Sequence, residues 1–326
     1  MAVQNRDRRP LLPFEARLRV VVAGICSTDL ALLAGSIGTR RPQVLGHEFV
    51  GRVIEVGRPG ASEWIGRRVC SAINVTCGSR NESPCAACVE IDPRQCLRRE
   101  VLGIDVADGA FAEEVIVPLN NLHELPPEVT DRAGTFVEPL AAAVAAFDRV
   151  PATPGLTIVV LGGGRLGSLI ARVAVTRGHT VLTCMRSDRH ARRLHELGVG
   201  EILRGDRTFL LNAVKDRTKG LGAHFAVEAT GTEAGLAQAI ELVRPRGTVV
   251  LKTTNGLPAF FNLTDVVVRE VTFAGSRCGD FAAAISLLSQ RFVQPEALVC
   301  EEFELGEIAD AVRAAKDELK VLVRMA

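Results

Sequence analysis

A cysteine, a threonine and an aspartate stand close together in G-I-C-S-T-D-L at 24 to 30, and a histidine adjoins a glutamate in G-H-E-F-V-G at 46 to 51. Thiolate, imidazole and carboxylate are zinc-binding groups, and three of them leave a fourth tetrahedral position for water or substrate. Cys26, His47 and one carboxylate make such a set. An open position separates a metal that activates an oxygen from one that only braces a loop. A second group, Cys77, Cys85, Cys88 and Cys96, has the spacing C-x7-C-x2-C-x7-C. Four thiolates can close a tetrahedral site if Gly78 to Pro84 bulges outward; the alternative is a lobe without metal.

A third constellation is Gly162, Gly164 and Gly167, a G-x-G-x-x-G directly after the apolar run Thr157 to Leu161. Leu166, Leu169, Ile170 and Val173 then recur at helical spacing. In a strand-to-helix turn these glycines permit a tight bend, close approach of a pyrophosphate and close helix–strand packing, which predicts dinucleotide binding. At the end of the next strand, V-L-T-C-M-R-S-D at 181 to 188, Cys184 or Met185 stands where an NAD enzyme would place Asp or Glu. Arg186 and Ser187 follow, a guanidinium and a hydroxyl suited to a 2′-phosphate, so NADP(H) is favoured over NAD(H); Asp188 keeps NAD(H) open.

These residues need two kinds of scaffold. From Leu18 to Pro127 short valine-rich runs such as R-L-R-V-V-V and V-G-R-V-I-E-V-G predict a mostly antiparallel, barrel-like domain. After Pro154 strand-like and helix-like runs alternate, which predicts a doubly wound parallel sheet. From about Phe281, two helical runs and a terminal strand K-V-L-V-R are expected to return to the first domain. The expected division is 1–150 with the cysteine lobe at 77–96, then 151–280, then 281–326.

Composition narrows the functions. The 326 residues are 47% hydrophobic and 24% charged, with a net charge of +1 and no long basic run, so nucleic acid is not implied. No apolar run reaches membrane-spanning length, and no signal peptide is evident, so a cytoplasmic protein acting on a small molecule is expected. Nine cysteines in that setting point to metal rather than disulfides. There is no tyrosine, which excludes dehydrogenases built on a Tyr/Lys acid–base couple.

Together Cys26, His47-Glu48, the cysteine lobe and the Gly162 loop occur in an order that resembles the zinc-dependent medium-chain alcohol and polyol dehydrogenases. F-V-E-P-L-A at 136 to 141, V-E-A-T-G at 227 to 231, L-K-T-T at 251 to 254 and G-S-R-C-G at 275 to 279 extend the resemblance, the last pointing to a poorly characterised bacterial branch. It implies a GroES-like catalytic domain and a Rossmann domain. It also implies a catalytic zinc on Cys26, His47 and Glu138, with Glu48 as an exchanging ligand, Asp29 orienting His47 and Thr28 passing on the substrate proton. Thr230 and Gly231 of V-E-A-T-G would line the cofactor. Cys85, Cys88 and Cys96 match the family's structural-zinc lobe. The usual first gap is two residues, however, which leaves Cys77, favoured over Glu82, as the fourth ligand. The activity implied is hydride transfer between NAD(P)(H) and a secondary alcohol or polyol, in a homodimer or homotetramer. The alternatives are a larger specialised-pathway substrate or a non-catalytic nucleotide-binding member.

Two departures stand out. The family begins with a β-hairpin, whereas few residues precede the strand leading to Cys26, which reads as a truncated start or an abbreviated barrel with an exposed edge. Ala31 stands where many members carry a proton-relay histidine.

Overall fold

Branched apolar residues set the strands of both halves. In the computed structural model, which describes residues 2–38, 44–254 and 258–325, the first half forms β1 (Glu15–Gly24), β2 (Glu48–Val56), β3 (Arg68–Ser71), β4 (Asn74–Val75), β5 (Glu100–Val101), β6 (Glu114–Pro118) and β7 (Leu122–Glu124). The second half supplies β8 (Thr157–Leu161), β9 (Thr180–Met185), β10 (Glu201–Arg204), β11 (Ala223–Glu228), β12 (Val243–Leu251) and β13 (Thr272–Gly275), followed by β14 (Val299–Glu304) and β15 (Lys320–Arg324). The helices are α1 (Ser27–Leu33), α2 (Ala86–Glu90), α3 (Asp131–Gly134), α4 (Val137–Ala145), α5 (Arg165–Thr176), α6 (Ala191–Leu197), α7 (Arg207–Arg217), α8 (Glu233–Leu242), α9 (Leu263–Val268), α10 (Phe281–Ser289) and α11 (Ile308–Ala314).

Contacts divide the chain into Met1–Glu138 with Val299–Ala326, and Pro139–Leu298. The expected boundaries at 150 and 280 therefore fall earlier and later, and α10 groups with the second unit. The return to the first unit is made by β14, α11 and β15.

In the first unit a seven-stranded sheet runs β14-β15-β1-β2-β3-β7, with β6 also paired to β1. Its pairs are antiparallel except β14 with β15, which is parallel. Despite the short segment that precedes it, β1 is paired on both sides. Residues 15–19 pair with β6 and residues 22–24 with β15, while β2 covers the opposite side. Most of β1 is accordingly buried.

In the second unit six strands lie in the order β10-β9-β8-β11-β12-β13, every pair parallel. The run Ile158 to Leu161 is buried throughout, as expected for a strand covered on both faces. Val159, Leu161, Leu182 and Val249 pack with Leu210 and Val214 of α7 and Ile240 of α8 in one apolar cluster. From β8 the chain winds outward to β9 and β10, then crosses back to β11. The carboxyl ends of β8 and β11 are therefore the switch point, where ligands bind in such sheets.

Candidate metal centre and cofactor loop

β1 delivers Cys26 to the amino-terminal cap of α1, where its Sγ accepts from the Thr28 amide at 3.5 Å. Asp29 completes a capping box by accepting from the Cys26 amide at 2.8 Å, so a cysteine does the work usually done by Ser or Thr. The other Asp29 oxygen accepts from the Gly46 amide at 3.3 Å and lies 3.4 Å from His47 Nδ1. One fully buried carboxylate thus fixes both the Cys26 turn and the segment entering β2. With Nδ1 turned to Asp29, Nε2 is the nitrogen left for a metal. Burial opposes a charge on His47, yet Asp29 and Cys26 together hold its pKa well above the usual value.

Ligand atoms of Cys26, His47 and Glu48 lie within 4.8 Å of one another. A thiol, an imidazole and a carboxylate so close suit zinc. Thr28 Oγ1 is 3.7 Å from Cys26 Sγ. Glu138 lies in the first turn of α4, half-buried and outside that group of three.

Glu48 has a partner that the sequence reading missed. Lys320 of β15 donates from Nζ to Glu48 Oε2, and both side chains are at most 2% exposed. The ammonium also lies 5.1 Å from the centre of the Phe136 ring. A Cβ on Gly24 would come within 2.9 Å of Glu48 Oε2 and 3.3 Å of Lys320 Nζ, so the ion pair occupies room that Gly24 leaves.

In the lobe, the sulfurs of Cys77, Cys85, Cys88 and Cys96 converge within 4.8 Å. Separations of 3.4 Å for Cys77 to Cys96, 3.5 Å for Cys85 to Cys88 and 3.8 Å for Cys85 to Cys96 compare with the roughly 3.8 Å that tetrahedral Zn–S bonds of about 2.3 Å imply. The long first gap is taken up by a turn. Asn81 adopts φ 55° and the Glu82 amide donates back to the Cys77 carbonyl at 2.9 Å. The Glu82 side chain is engaged instead by Arg80 at 3.0 Å and Arg98 at 3.1 Å. Arg98 also donates to Cys77 Sγ at 3.1 Å, and the Leu97 amide to Cys85 Sγ at 3.4 Å. The Leu97 and Cys88 amides lower the Cys85 pKa to about 6, which favours the thiolate a metal requires.

The three glycines of the second unit separate by what a side chain would meet. Gly162 has φ 104°, and a Cβ on Gly167 would lie 1.8 Å from the Gly162 carbonyl oxygen, so those two are demanded by the chain itself. Gly164 caps α5 with φ −81°, and a Cβ there would meet nothing within 4 Å. The open space beside it suits the backbone approach of a pyrophosphate. Beyond β11, Thr230 donates from its amide and hydroxyl to Glu228 Oε1 at 2.8 Å and 2.6 Å, and the Gly231 amide donates to Thr253 Oγ1 at 3.0 Å.

Residues 13–127 match the alcohol dehydrogenase GroES-like domain and residues 166–291 the zinc-binding dehydrogenase domain. A sorbitol dehydrogenase of Halalkalibacterium halodurans is 30% identical over 99% of this chain and 95% of its own length. The chain belongs to the zinc-dependent medium-chain dehydrogenase family. Among solved structures, RspB of Escherichia coli CFT073, described as a short chain alcohol dehydrogenase and complexed with NADH, is 27% identical, with a TM-score of 0.88 over 98% of this chain and 94% of that one. A zinc-binding dehydrogenase of Sinorhizobium meliloti 1021, bound to NADP, is 28% identical, with a TM-score of 0.88 over 99% and 95%. As a medium-chain dehydrogenase this chain is an NAD(P)-dependent oxidoreductase with a GroES-like and a Rossmann domain. No described helix is long and apolar enough to cross a membrane.

In this medium-chain dehydrogenase the expected ribose end is exposed. Arg186 and Ser187 follow β9, with Ser187 Oγ accepting from the Arg189 amide at 3.2 Å. Asp188 is ion-paired with Arg204 at the end of the adjacent strand β10.

Proposed function

We propose that this dehydrogenase interconverts a secondary alcohol or polyol and its ketone, using a zinc held by Cys26, His47 and Glu138 and NADP(H) in preference to NAD(H). The observation that carries the reading is the convergence of a half-buried Cys26 with the buried His47 and Glu48, with Asp29 behind them. When bound, zinc supplies Lewis acidity toward the substrate oxygen and the nicotinamide supplies the hydride acceptor. Asp29 keeps His47 in one tautomer and fixes its ring. Thr28, beside Cys26, takes the substrate hydroxyl proton. Ala31 offers no titratable group, so the proton leaves through water, the ribose or Glu48 rather than a relay histidine. Glu48, paired with Lys320, would be a further carboxylate able to hold the metal.

NADP(H) preference rests on Arg186 and Ser187, whose side chains suit a 2′-phosphate, and on Asp188 being engaged by Arg204. The four cysteines of the lobe hold a second, structural zinc, and Arg98 offsets part of the thiolate charge. Cys70 and Cys184 are buried thiols, which suits a reducing compartment such as the cytoplasm. The relative named sorbitol dehydrogenase supports a polyol as the first substrate class to screen.

Metal analysis together with a screen of alcohols and ketones tests the reading. About two zinc ions per chain and turnover with a polyol or secondary alcohol are expected. Cys26→Ser should abolish turnover while cofactor binding is retained. Full turnover by that variant would sink the assignment of the centre.

A further inference from the structure

Among the described residues of the second unit, Lys252 is a buried lysine that neither the metal chemistry nor the phosphate loop uses. It lies directly after β12 and is 7% exposed. At the carboxyl edge of a parallel sheet a lysine ordinarily extends into water, because stripping an ammonium of its hydration is costly unless every donor finds an acceptor. Here the acceptors are present. Nζ donates to the Ala142 carbonyl of α4 at 2.9 Å, to Ser276 Oγ at 3.2 Å and to the Arg277 carbonyl at 2.9 Å. An ammonium has three donors, and three acceptors lie within reach of them here.

Register places this cluster. Glu228 pairs with Leu251 and Leu251 with Gly275, so β11, β12 and β13 end level with one another. Lys252 and Ser276 stand one residue past those ends, and the ladder continues through Lys252 N to Glu228 O at 3.0 Å and Ser276 N to Leu251 O at 3.1 Å. In a doubly wound sheet the dinucleotide crosses the carboxyl ends at the switch point, here between β8 and β11. Its phosphates rest on the loop after β8, and its adenosine half extends over β9, where Arg186 and Ser187 stand. The nicotinamide half is therefore directed over β11, β12 and β13. The segment from Ser276 to Gly279 is the stretch of chain that would border the ring.

That segment has no helix or strand of its own to hold it. Two contacts tie it to α4. A Cβ on Gly279 would lie 1.8 Å from the Ala141 carbonyl oxygen, so the backbones touch there, and one residue along the helix Ala142 accepts from Lys252. We propose that Lys252 is a positioning residue for the nicotinamide: its ammonium clamps the Ser276–Arg277 backbone to α4 and so fixes the wall against which the ring is held. The inference rests on the NAD(P)-dependent reading of the second unit. Through these three acceptors the ammonium ties β12, α4 and the Ser276–Arg277 segment together, which is a role of geometry.

The test compares Lys252→Met and Lys252→Arg with the parent protein, each checked first for an unchanged circular dichroism spectrum and thermal midpoint. Binding of ADP-ribose and its 2′-phosphate, which lack the ring, is measured beside binding of NADPH and NADH followed by nicotinamide fluorescence. The clamp predicts that Lys252→Met keeps its ADP-ribose affinities within about twofold but loses the fluorescence change of the bound ring. Its kcat should fall on the order of 10- to 100-fold with KM for the alcohol little changed, as a misplaced reacting partner entails. Lys252→Arg, which keeps a cation and several donors, should recover part of both. If Lys252→Met binds and turns over like the parent, or if ADP-ribose and NADPH affinities fall together, the clamp is wrong. If Lys252→Met does not fold, the same comparison is read on Ser276→Ala, which removes one acceptor. An unchanged ring signal there in a folded protein also overturns it. Failure of the parent to bind any of these ligands would instead overturn the cofactor reading beneath it.

Discussion

The Glu48–Lys320 pair is the most consequential side-chain contact at the centre, and its energetics are asymmetric. Both groups are nearly dry, so each is tolerated chiefly because of the other. Lys320→Met alone should destabilise the fold by about 3–5 kcal/mol, since it strands a buried carboxylate. The double variant Glu48→Gln with Lys320→Met should recover most of that loss. Urea unfolding of the four proteins of the cycle measures it, and additive losses would mean that the two groups do not depend on each other. Arg186 is a residue of the opposite kind, exposed and, under the proposed NADP(H) preference, the partner of a 2′-phosphate. Arg186→Ala should raise KM for NADP on the order of tenfold or more while leaving KM for NAD nearly unchanged. Equal effects on both would remove it from discrimination.

At the scale of elements, the glycine loop offers a sharper distinction than its motif does. Gly164→Ala meets open space, whereas Gly167→Ala drives a methyl into a carbonyl. The first should keep the thermal midpoint within a few degrees and weaken cofactor binding about tenfold or more; the second should lower the midpoint itself. Calorimetry with cofactor titration separates them, and a matched loss of stability in both would end the claim that Gly164 is kept for a ligand. The motif was legible because its residues are consecutive and its strand and helix follow immediately. The convergence of Cys26 with His47 was legible for a related reason, since a short helix joins β1 to the segment entering β2. Lys320 was not, because it is 272 residues from Glu48 and sits in a strand whose own pattern gives no sign of a buried charge. Nor could spacing reveal how residues 78–84 fold back upon Cys77, which depends on a left-handed Asn81 and a backbone bond. The pairing of β1 on both sides also depends on strands distant in sequence.

At the scale of the whole molecule, two features govern assembly. The outer strand of the parallel sheet, β13, follows α9, whose Leu263, Val267 and Val268 are 65%, 66% and 75% exposed. A sheet edge beside apolar side chains is a surface that two copies can share about a two-fold axis. We therefore expect a homodimer by light scattering, with Val267→Glu shifting it toward monomer; a monomeric parent at micromolar concentration would contradict this use of the surface. The second feature is the order in which the chain is made. The second unit is continuous, from Pro139 to Leu298, and can fold as soon as it is synthesised. The first unit must wait, because β15 belongs between β14 and β1 in its sheet, and β15 is made after the whole of the second unit. Until then Glu48 has no Lys320 and one side of β1 is unpaired along residues 22–24. Cys26 and His47 are thus made early, while the strand that partners Glu48 is made last, so a nascent chain stalled before β14 would hold a continuous second unit beside a first unit whose central sheet is still incomplete.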